Sequence, residues 1–172
     1  MADLTGLNTN IHDLLITNKP DFSDKKLEYF DDNKFLEENP GRWGDYYTGS
    51  VPLNKVVGTT HSDYDGYSWM ELLPTTFKSE KNIINFSAAK NLPILKREHK
   101  LVYRFQENPD YYLSEEKKEN MNFFKVGDKF YIDDGNHRVI MARFFLNLNQ
   151  LPEVIKGVTI EEFIVAKSLL ST

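Results

Sequence analysis

The chain has 172 residues, of which 40% are hydrophobic and 13% aromatic, so it is long and apolar enough to form one domain with a real core. Its formal net charge of −5 argues against a broad basic surface for nucleic acid, while a local basic groove stays open as an alternative. Cysteine is absent, which excludes disulfides, thiolate zinc sites and a cysteine nucleophile.

The first 47 residues predict a peripheral N-terminal arm, helical or irregular, in front of a domain at 48–172. The stretch NIHDLLI predicts a short amphipathic helix, and NPGRWG then stops any helix. Such an arm packs on the domain or docks on a partner protein, and the sequence leaves both open. No apolar run approaches the roughly 20 residues of a membrane span, and no signal peptide is evident, so we expect a cytoplasmic protein without membrane contact.

The middle of the chain predicts a strand at 50–58, followed by a polar loop with His61, Asp63 and Asp65. Ser68 then has the position of an N-cap for a short helix that ends near Pro74.

Further along, residues 81–91 predict a helix, and 93–105 predict a strand that carries a basic group. This group can contact a triphosphate or a nucleic acid backbone, but charges on a solvated strand edge are the better explanation. The polar stretch 106–120 predicts a loop or a short exposed helix. The members of the basic group are Lys96, Arg97, Lys100 and Arg104.

The last third gives the clearest pattern. NFFKVGDKFYI predicts a β-hairpin with glycine in the turn, and HRVIMARFFLNL predicts a helix that buries most of its circumference. PEVIKGVTIEEFIVAKSLL predicts one or two closing strands and a C-terminal helical turn. The fold class is therefore α+β, with a mixed sheet and short helices.

The segment IDDGNHRV joins the hairpin to this helix and carries the densest polar chemistry. Asp134 or Asn136 can cap the first turn, and Gly135 lets an anion approach the backbone. The helix start favours anions, Arg138 offers a fork that fits phosphate oxygens, and His137 can donate to phosphate or shuttle a proton. These residues form a candidate phosphate-binding corner. A plain turn and cap, with Arg138 paired to an acid, is the alternative.

YIDDGNHRVIMARFF, together with the hairpin FFKVGDKFYI before it, resembles the signature of the ParB/sulfiredoxin-like superfamily. The likeness extends to VPLNKVVG and so covers about residues 50–165, with its motif positions in 121–147. It implies a compact α+β domain whose helix start binds the phosphates of ATP, ADP or CTP. Relatives include nucleotide hydrolases, a sulfinic acid reductase, a serine kinase and nucleases. The reductase chemistry needs a cysteine and is excluded, and no helix-turn-helix domain of a DNA-segregation protein follows.

Carried over position by position, the resemblance implies that Gly135, Asn136, His137 and Arg138 form the phosphate loop. It makes Asp134 a cap or a metal contact.

Phosphoryl chemistry also needs a base and usually Mg²⁺, and the loop THSDYDGYSW supplies candidates. The loop follows the opening strand, which the resemblance places near the phosphate corner. In an extended loop Asp63 and Asp65 point the same way, so both carboxylates can serve as catalytic groups or Mg²⁺ ligands together with Asp134. His61 is a candidate base. A solvated turn is the alternative reading of this loop.

Three functions follow from these residues. The first is a nucleotide-dependent phosphotransferase or nucleotide hydrolase that uses the DGNHR corner and an acid from HSDYD. The second is a ParB-like, metal-dependent nuclease acting on DNA or RNA, which the acidic net charge disfavours. The third is a non-catalytic regulatory or partner-binding module of a mobile element, docking through its N-terminal arm.

Overall fold

A computed structural model of the chain describes residues 7–9, 11–73 and 108–166. In this part of the chain a mixed sheet carries a few short helices, which confirms the predicted α+β class. The strands are β1 Glu28–Tyr29, β2 Gly41–Trp43, β3 Tyr47–Pro52, β4 Val56–Thr59, β5 Asn122–Val126, β6 Lys129–Asp134 and β7 Val154–Val165. The α-helices are α1 Ile11–Thr17, α2 Asp32–Glu38 and α3 Asn136–Leu148, and 3₁₀ turns span Asp21–Asp24, Leu53–Lys55, Ser62–Tyr64 and Pro109–Tyr112. No described helix has the length and apolar character that crossing a membrane requires.

The strands follow the order β1-β4-β6-β5-β7-β2, and β3 also pairs with β7. β1, β4 and β6 run parallel to one another, whereas β5 is antiparallel to β6 and parallel to β7. β2 and β3 both pair antiparallel with β7. Because β4 and β6 are parallel neighbours, the loops that follow them leave the same edge of the sheet.

The predicted hairpin and the helix after it are both confirmed. Gly127 has a φ of +61° in the turn between β5 and β6, a conformation that glycine adopts without steric cost. Helix α3 is apolar on nearly every side, because one face packs on the sheet and the opposite face is covered by the chain around Phe22, Trp69 and Leu72. The sheet residues Phe123 and Ile132 belong to this same core.

The prediction of a single strand at 50–58 is wrong, because the chain forms two strands there. β3 ends at Pro52, which has no N–H group to continue a ladder, and the 3₁₀ turn Leu53–Lys55 redirects the chain into β4. The Leu53 amide donates to the Glu153 carbonyl at 2.8 Å, which keeps this turn against the start of β7. The chain therefore pairs with β7 before this turn, as β3, and with β6 after it, as β4.

The N-terminal segment packs on the domain, which is one of the two alternatives left open above. The predicted first helix is confirmed as α1, while β1 and β2 were not expected. On the sheet face away from α3, Phe30 stacks on Tyr131 at a centroid distance of 4.0 Å, and Trp43 contacts Phe124 at 4.6 Å. These contacts begin an aromatic cluster that covers the second face of the sheet. The cluster consists of Phe30, Phe35, Trp43, Phe124, Tyr131 and Phe163.

Ser68 accepts a hydrogen bond from the Glu71 amide, and the Glu71 carboxylate accepts one from the Ser68 amide, both at 3.1 Å. This is the reciprocal pattern of a capping box, yet residues 69–72 form turns rather than the predicted helix. In the segment predicted as polar loop or exposed helix, Tyr112 and Lys118 are buried. The predicted helix at 81–91, the basic strand at 93–105 and the C-terminal helical turn lie outside the described residues.

Candidate functional site

The start of helix α3 is built by a glycine in the left-handed conformation. Gly135 is the N-cap residue, with φ of +84° and ψ of +27°, and no side chain caps the helix. The Asp134 carboxylate accepts a hydrogen bond from the Gly135 amide at 2.8 Å, but Gly135 precedes the first helical turn. The Asn136 side-chain oxygen accepts instead from the buried Thr59 hydroxyl at 2.6 Å. The prediction that Asp134 or Asn136 caps this helix is therefore wrong.

Two threonines at the end of β4 tie the loops after β4 and β6 together. Thr59 bonds Asn136, as described above, and the Thr60 hydroxyl donates to the Asp133 carboxylate at 2.8 Å. The Thr60 amide also donates to the Ile132 carbonyl at 2.9 Å. The loop with the second group of predicted site residues consequently begins beside the junction, as expected.

This loop is a 3₁₀ turn at Ser62–Tyr64 and is not extended, so Asp63 and Asp65 do not alternate along a strand. Asp63 is exposed, whereas the Asp65 carboxylate accepts the Tyr29 amide at 2.9 Å and attaches the loop to β1. The exposed His61 ring stacks on Tyr64 at a centroid distance of 4.1 Å. The loop thus presents one exposed imidazole, His61, and two exposed carboxylates, Asp63 and Asp65, and only Asp65 is bonded to β1.

His137, in the first turn of α3, is buried between the loop after β4 and the chain at Leu72. Its Nδ1 lies 2.9 Å from the Leu72 carbonyl, which can only accept, so Nδ1 carries a proton. Its Nε2 lies 3.0 Å from the Tyr64 hydroxyl, which donates to it when the ring is neutral. In this arrangement both ring nitrogens make hydrogen bonds within the protein. The roles of His137 as phosphate ligand and proton shuttle stay predictions.

Arg138 holds the segment in front of the helix start. Its guanidinium donates to the carbonyl oxygens of Glu119, at 3.0 Å, and of Asn120. A Cβ on Gly135 would lie 2.8 Å from the same Asn120 carbonyl and 3.2 Å from Nη2 of Arg138. The side of Gly135 that faces this segment is therefore closed, and a ligand can approach the helix amides only from elsewhere.

The carboxylates of the loop and junction do not form a preformed metal centre. Within the described ranges, no three His, Asp or Glu side chains are grouped so that they could hold a metal ion. Asp63, in the loop after β4, and Asp134, the last residue of β6, are exposed carboxylates.

A second group of carboxyls, which no local sequence pattern predicted, lies on the sheet face of the aromatic cluster. Burial raises the pKa of Glu161, the negative charges of Asp133 and Asp32 raise it further, and a hydrogen bond from Tyr46 opposes the change. Burial and the Asp133 charge likewise raise the pKa of Asp32. These residues lie far apart along the chain, so only the pairing of strands brings them together.

Comparisons with known proteins found no match: no family model fits the sequence, and neither a curated protein nor a solved structure is significantly similar.

Proposed function

We propose that this protein binds the phosphate groups of a nucleotide at the start of helix α3 and catalyses phosphoryl transfer or nucleotide hydrolysis there. The observation that carries the proposal is the position of the helix start, at the carboxyl ends of parallel β4 and β6 and beside exposed His61 and Asp63. Ligands of α/β sheets bind at such strand ends, and helix starts favour anions. The resemblance of DGNHR to the ParB/sulfiredoxin-like superfamily points to the same chemistry.

The backbone amides of Asn136, His137 and Arg138 would donate to the phosphate, because first-turn amides have no acceptor within a helix. Arg138 belongs to this first turn, and its guanidinium adds a full positive charge near the positive end of the helix dipole. Its present acceptors are neutral carbonyl groups. Hydrogen bonds to a charged oxygen are roughly twice as strong as neutral ones, so a bound phosphate can replace a carbonyl as its acceptor.

Asp63 is the residue we assign as general base, with His61 as the alternative, because both side chains are exposed beside the helix start. Mg²⁺ is commonly held by one or two carboxylates together with substrate phosphates. The exposed carboxylates of Asp63 and Asp134 fit that requirement, with Asp65 as a further candidate ligand. When bound, Mg²⁺ would neutralise charge on the phosphate oxygens.

A thermal-shift panel of ATP, ADP and CTP, each with and without Mg²⁺, tests the proposal. A ligand at 100 times its dissociation constant stabilises the native state by about 2.7 kcal/mol, which raises the Tm by several degrees in a chain of this size. We expect at least one nucleotide to do so. No shift with any of the three would overturn the proposal.

Two variants separate binding from chemistry. Arg138→Gln should reduce the nucleotide-induced shift, and Asp63→Asn should keep the shift but lose phosphate release. Asp128→Asn is the matched control, because Asp128 is exposed in the hairpin turn at the far end of β6, 3.7 Å from Lys55. A nucleotide shift that survives intact in Arg138→Gln would contradict the assigned site.

No described contact favours the nuclease alternative over this proposal. The net charge is −5, and the basic group at 96–104 lies outside the described residues. Incubation with plasmid DNA and with RNA in Mg²⁺ or Mn²⁺ tests that alternative directly, and cleavage that Asp134→Ala abolishes would support it.

A further inference from the structure

A cavity of about 390 Å³ opens on the sheet face that carries the aromatic cluster. Phe124, Asp133 and Glu161 line it from β5, β6 and β7, and the exposed side chains of Tyr46 and Lys117 complete its wall. Phe124 and Glu161 are register partners on neighbouring strands, so their side chains point to the same face. We call this feature the acidic cavity. Its volume lies in the range of sites for small organic ligands, about 300–1,000 Å³.

The charges around the acidic cavity are mostly negative. Glu161 and Asp133 lie in its wall, and Asp32 at the start of α2 is close enough to raise the pKa of Glu161. Lys117 is the single basic residue in the described wall. The Tyr46 hydroxyl lies close enough to Glu161 to affect the pKa of that carboxyl group. Because three carboxyl groups and only one ammonium group surround the cavity, its charge favours a cation.

The shape and lining favour an organic cation over a metal ion. None of the described acidic or histidine side chains form a group of three that could hold a metal. The cavity is also far larger than one ion, and its wall includes the aromatic rings of Phe124 and Tyr46. An aromatic face attracts an ammonium group and also covers the apolar part of an amine.

We propose that the acidic cavity binds a primary amine attached to an apolar or aromatic group. Its ammonium would lie between the carboxylates of Asp133 and Glu161, with the apolar part against Phe124. This site goes beyond the proposed phosphate chemistry and does not depend on it, because the cavity lies on the opposite face of the sheet from α3.

A titration of the ¹⁵N-labelled full chain followed by NMR tests the proposal, with benzylamine as the probe near neutral pH. Saturable shifts are expected at amides of residues 122–124, 133 and 159–161. Benzyl alcohol has nearly the same shape without the charge and should bind at least about tenfold more weakly. MgCl₂ alone should not produce the benzylamine shifts.

Glu161→Gln should weaken benzylamine binding at least about tenfold, since Gln keeps the shape and the acceptor for Tyr46 but removes the charge. Glu162→Gln is the matched control, because Glu162 is the next residue of β7, lies on the other face and pairs with Lys125 at 3.5 Å. Asp133→Asn provides a second test if Glu161→Gln does not fold.

Absence of saturable benzylamine binding would overturn the proposal. Equal affinity for benzyl alcohol, identical shifts with MgCl₂ alone, or unchanged affinity in both Glu161→Gln and Asp133→Asn would also overturn it. Because no nucleotide takes part, these outcomes are independent of those that test the phosphate site.

Discussion

The Tyr64 hydroxyl lies 3.0 Å from Nε2 of His137, a buried hydrogen bond between residues 73 positions apart. The other ring nitrogen of His137 bonds the Leu72 carbonyl at 2.9 Å. One imidazole therefore fixes the helix start against the loop after β4 and against the chain at Leu72. Any ligand bound at this helix start is held by a structure that His137 organises.

Tyr64→Phe removes the hydroxyl and leaves a buried ring nitrogen without this partner. A buried polar group that loses its hydrogen bond costs about 1–3 kcal/mol, so the free energy of unfolding should fall by that amount in urea denaturation. Tyr47→Phe is the control, since Tyr47 is exposed on β3 and should change stability little. Equal stability of the two variants would show that the Tyr64 hydroxyl contributes nothing.

Gly135→Ala and Gly127→Ala compare two glycines with positive φ in different surroundings. At Gly127 a Cβ meets nothing within 4 Å, so the cost should be the left-handed conformation alone, about 1–2 kcal/mol. At Gly135 the Cβ would also lie 2.8 Å from the Asn120 carbonyl, which must move. Chemical denaturation should show the larger loss for Gly135→Ala. A larger loss of stability for Gly127→Ala would mean that the backbone at Asn120 moves aside at little cost.

Arg143 and Lys19 make ion pairs of nearly equal length in different environments. Buried Arg143 donates to Glu153 at 2.8 Å and lies over Phe22 at 3.8 Å, whereas the Lys19 pair with Asp24, at 2.9 Å, is exposed. Arg143→Gln should cost about 3–5 kcal/mol, because it breaks a buried pair. Lys19→Gln should stay within about 1 kcal/mol. Urea denaturation of both variants measures the contrast, and similar costs would contradict it.

Glu161→Gln should stabilise the protein at neutral pH. The pKa of Glu161 is raised in the folded state, so the folded protein holds this proton more tightly and loses stability as the pH rises from the ordinary glutamate value through the raised one. Gln removes this cost while Tyr46 can still donate to it. The Tm of the variant should exceed that of the wild type at pH 7, and the difference should vanish near pH 4.

The Glu161 carboxyl is surrounded by other ionisable groups: Tyr46, Asp133, Asp32 and Lys117. The dependence of Tm on pH in Glu161→Gln must therefore be compared with that in Glu162→Gln, which alters the other face of the sheet. A Glu161→Gln variant that is less stable at pH 7 than at pH 4, relative to the wild type, would contradict the assigned cause.

The hairpin and helix α3 could be predicted because their signals are local. Gly127 marks the turn, and the apolar run after Gly135 exceeds what a strand needs. The change of strand at Pro52 was missed, because the apolar residues on both sides of it suit one strand as well as two. A proline inside such a run is the signal that could have revealed it.

For the candidate site, too, only part of the structure could be predicted from the sequence. The expected position of the 61–65 loop beside the junction is confirmed. The sequence could not show that Tyr64 bonds His137 or that Arg138 donates to backbone carbonyls. These partners are chosen by packing between segments distant in sequence. The acidic cavity was missed for the same reason, since Tyr46, Asp133 and Glu161 carry no local pattern.

Strand β7 has a consequence for synthesis on the ribosome. It pairs with β2, β3 and β5, yet it is the last of the described strands to be translated. β2 and β3 have no other partner strand in the described sheet, so they must wait, unpaired, until residue 165 has left the exit tunnel. Assembly is then dominated by contacts between distant segments, which makes folding slow and exposes the nascent chain to aggregation.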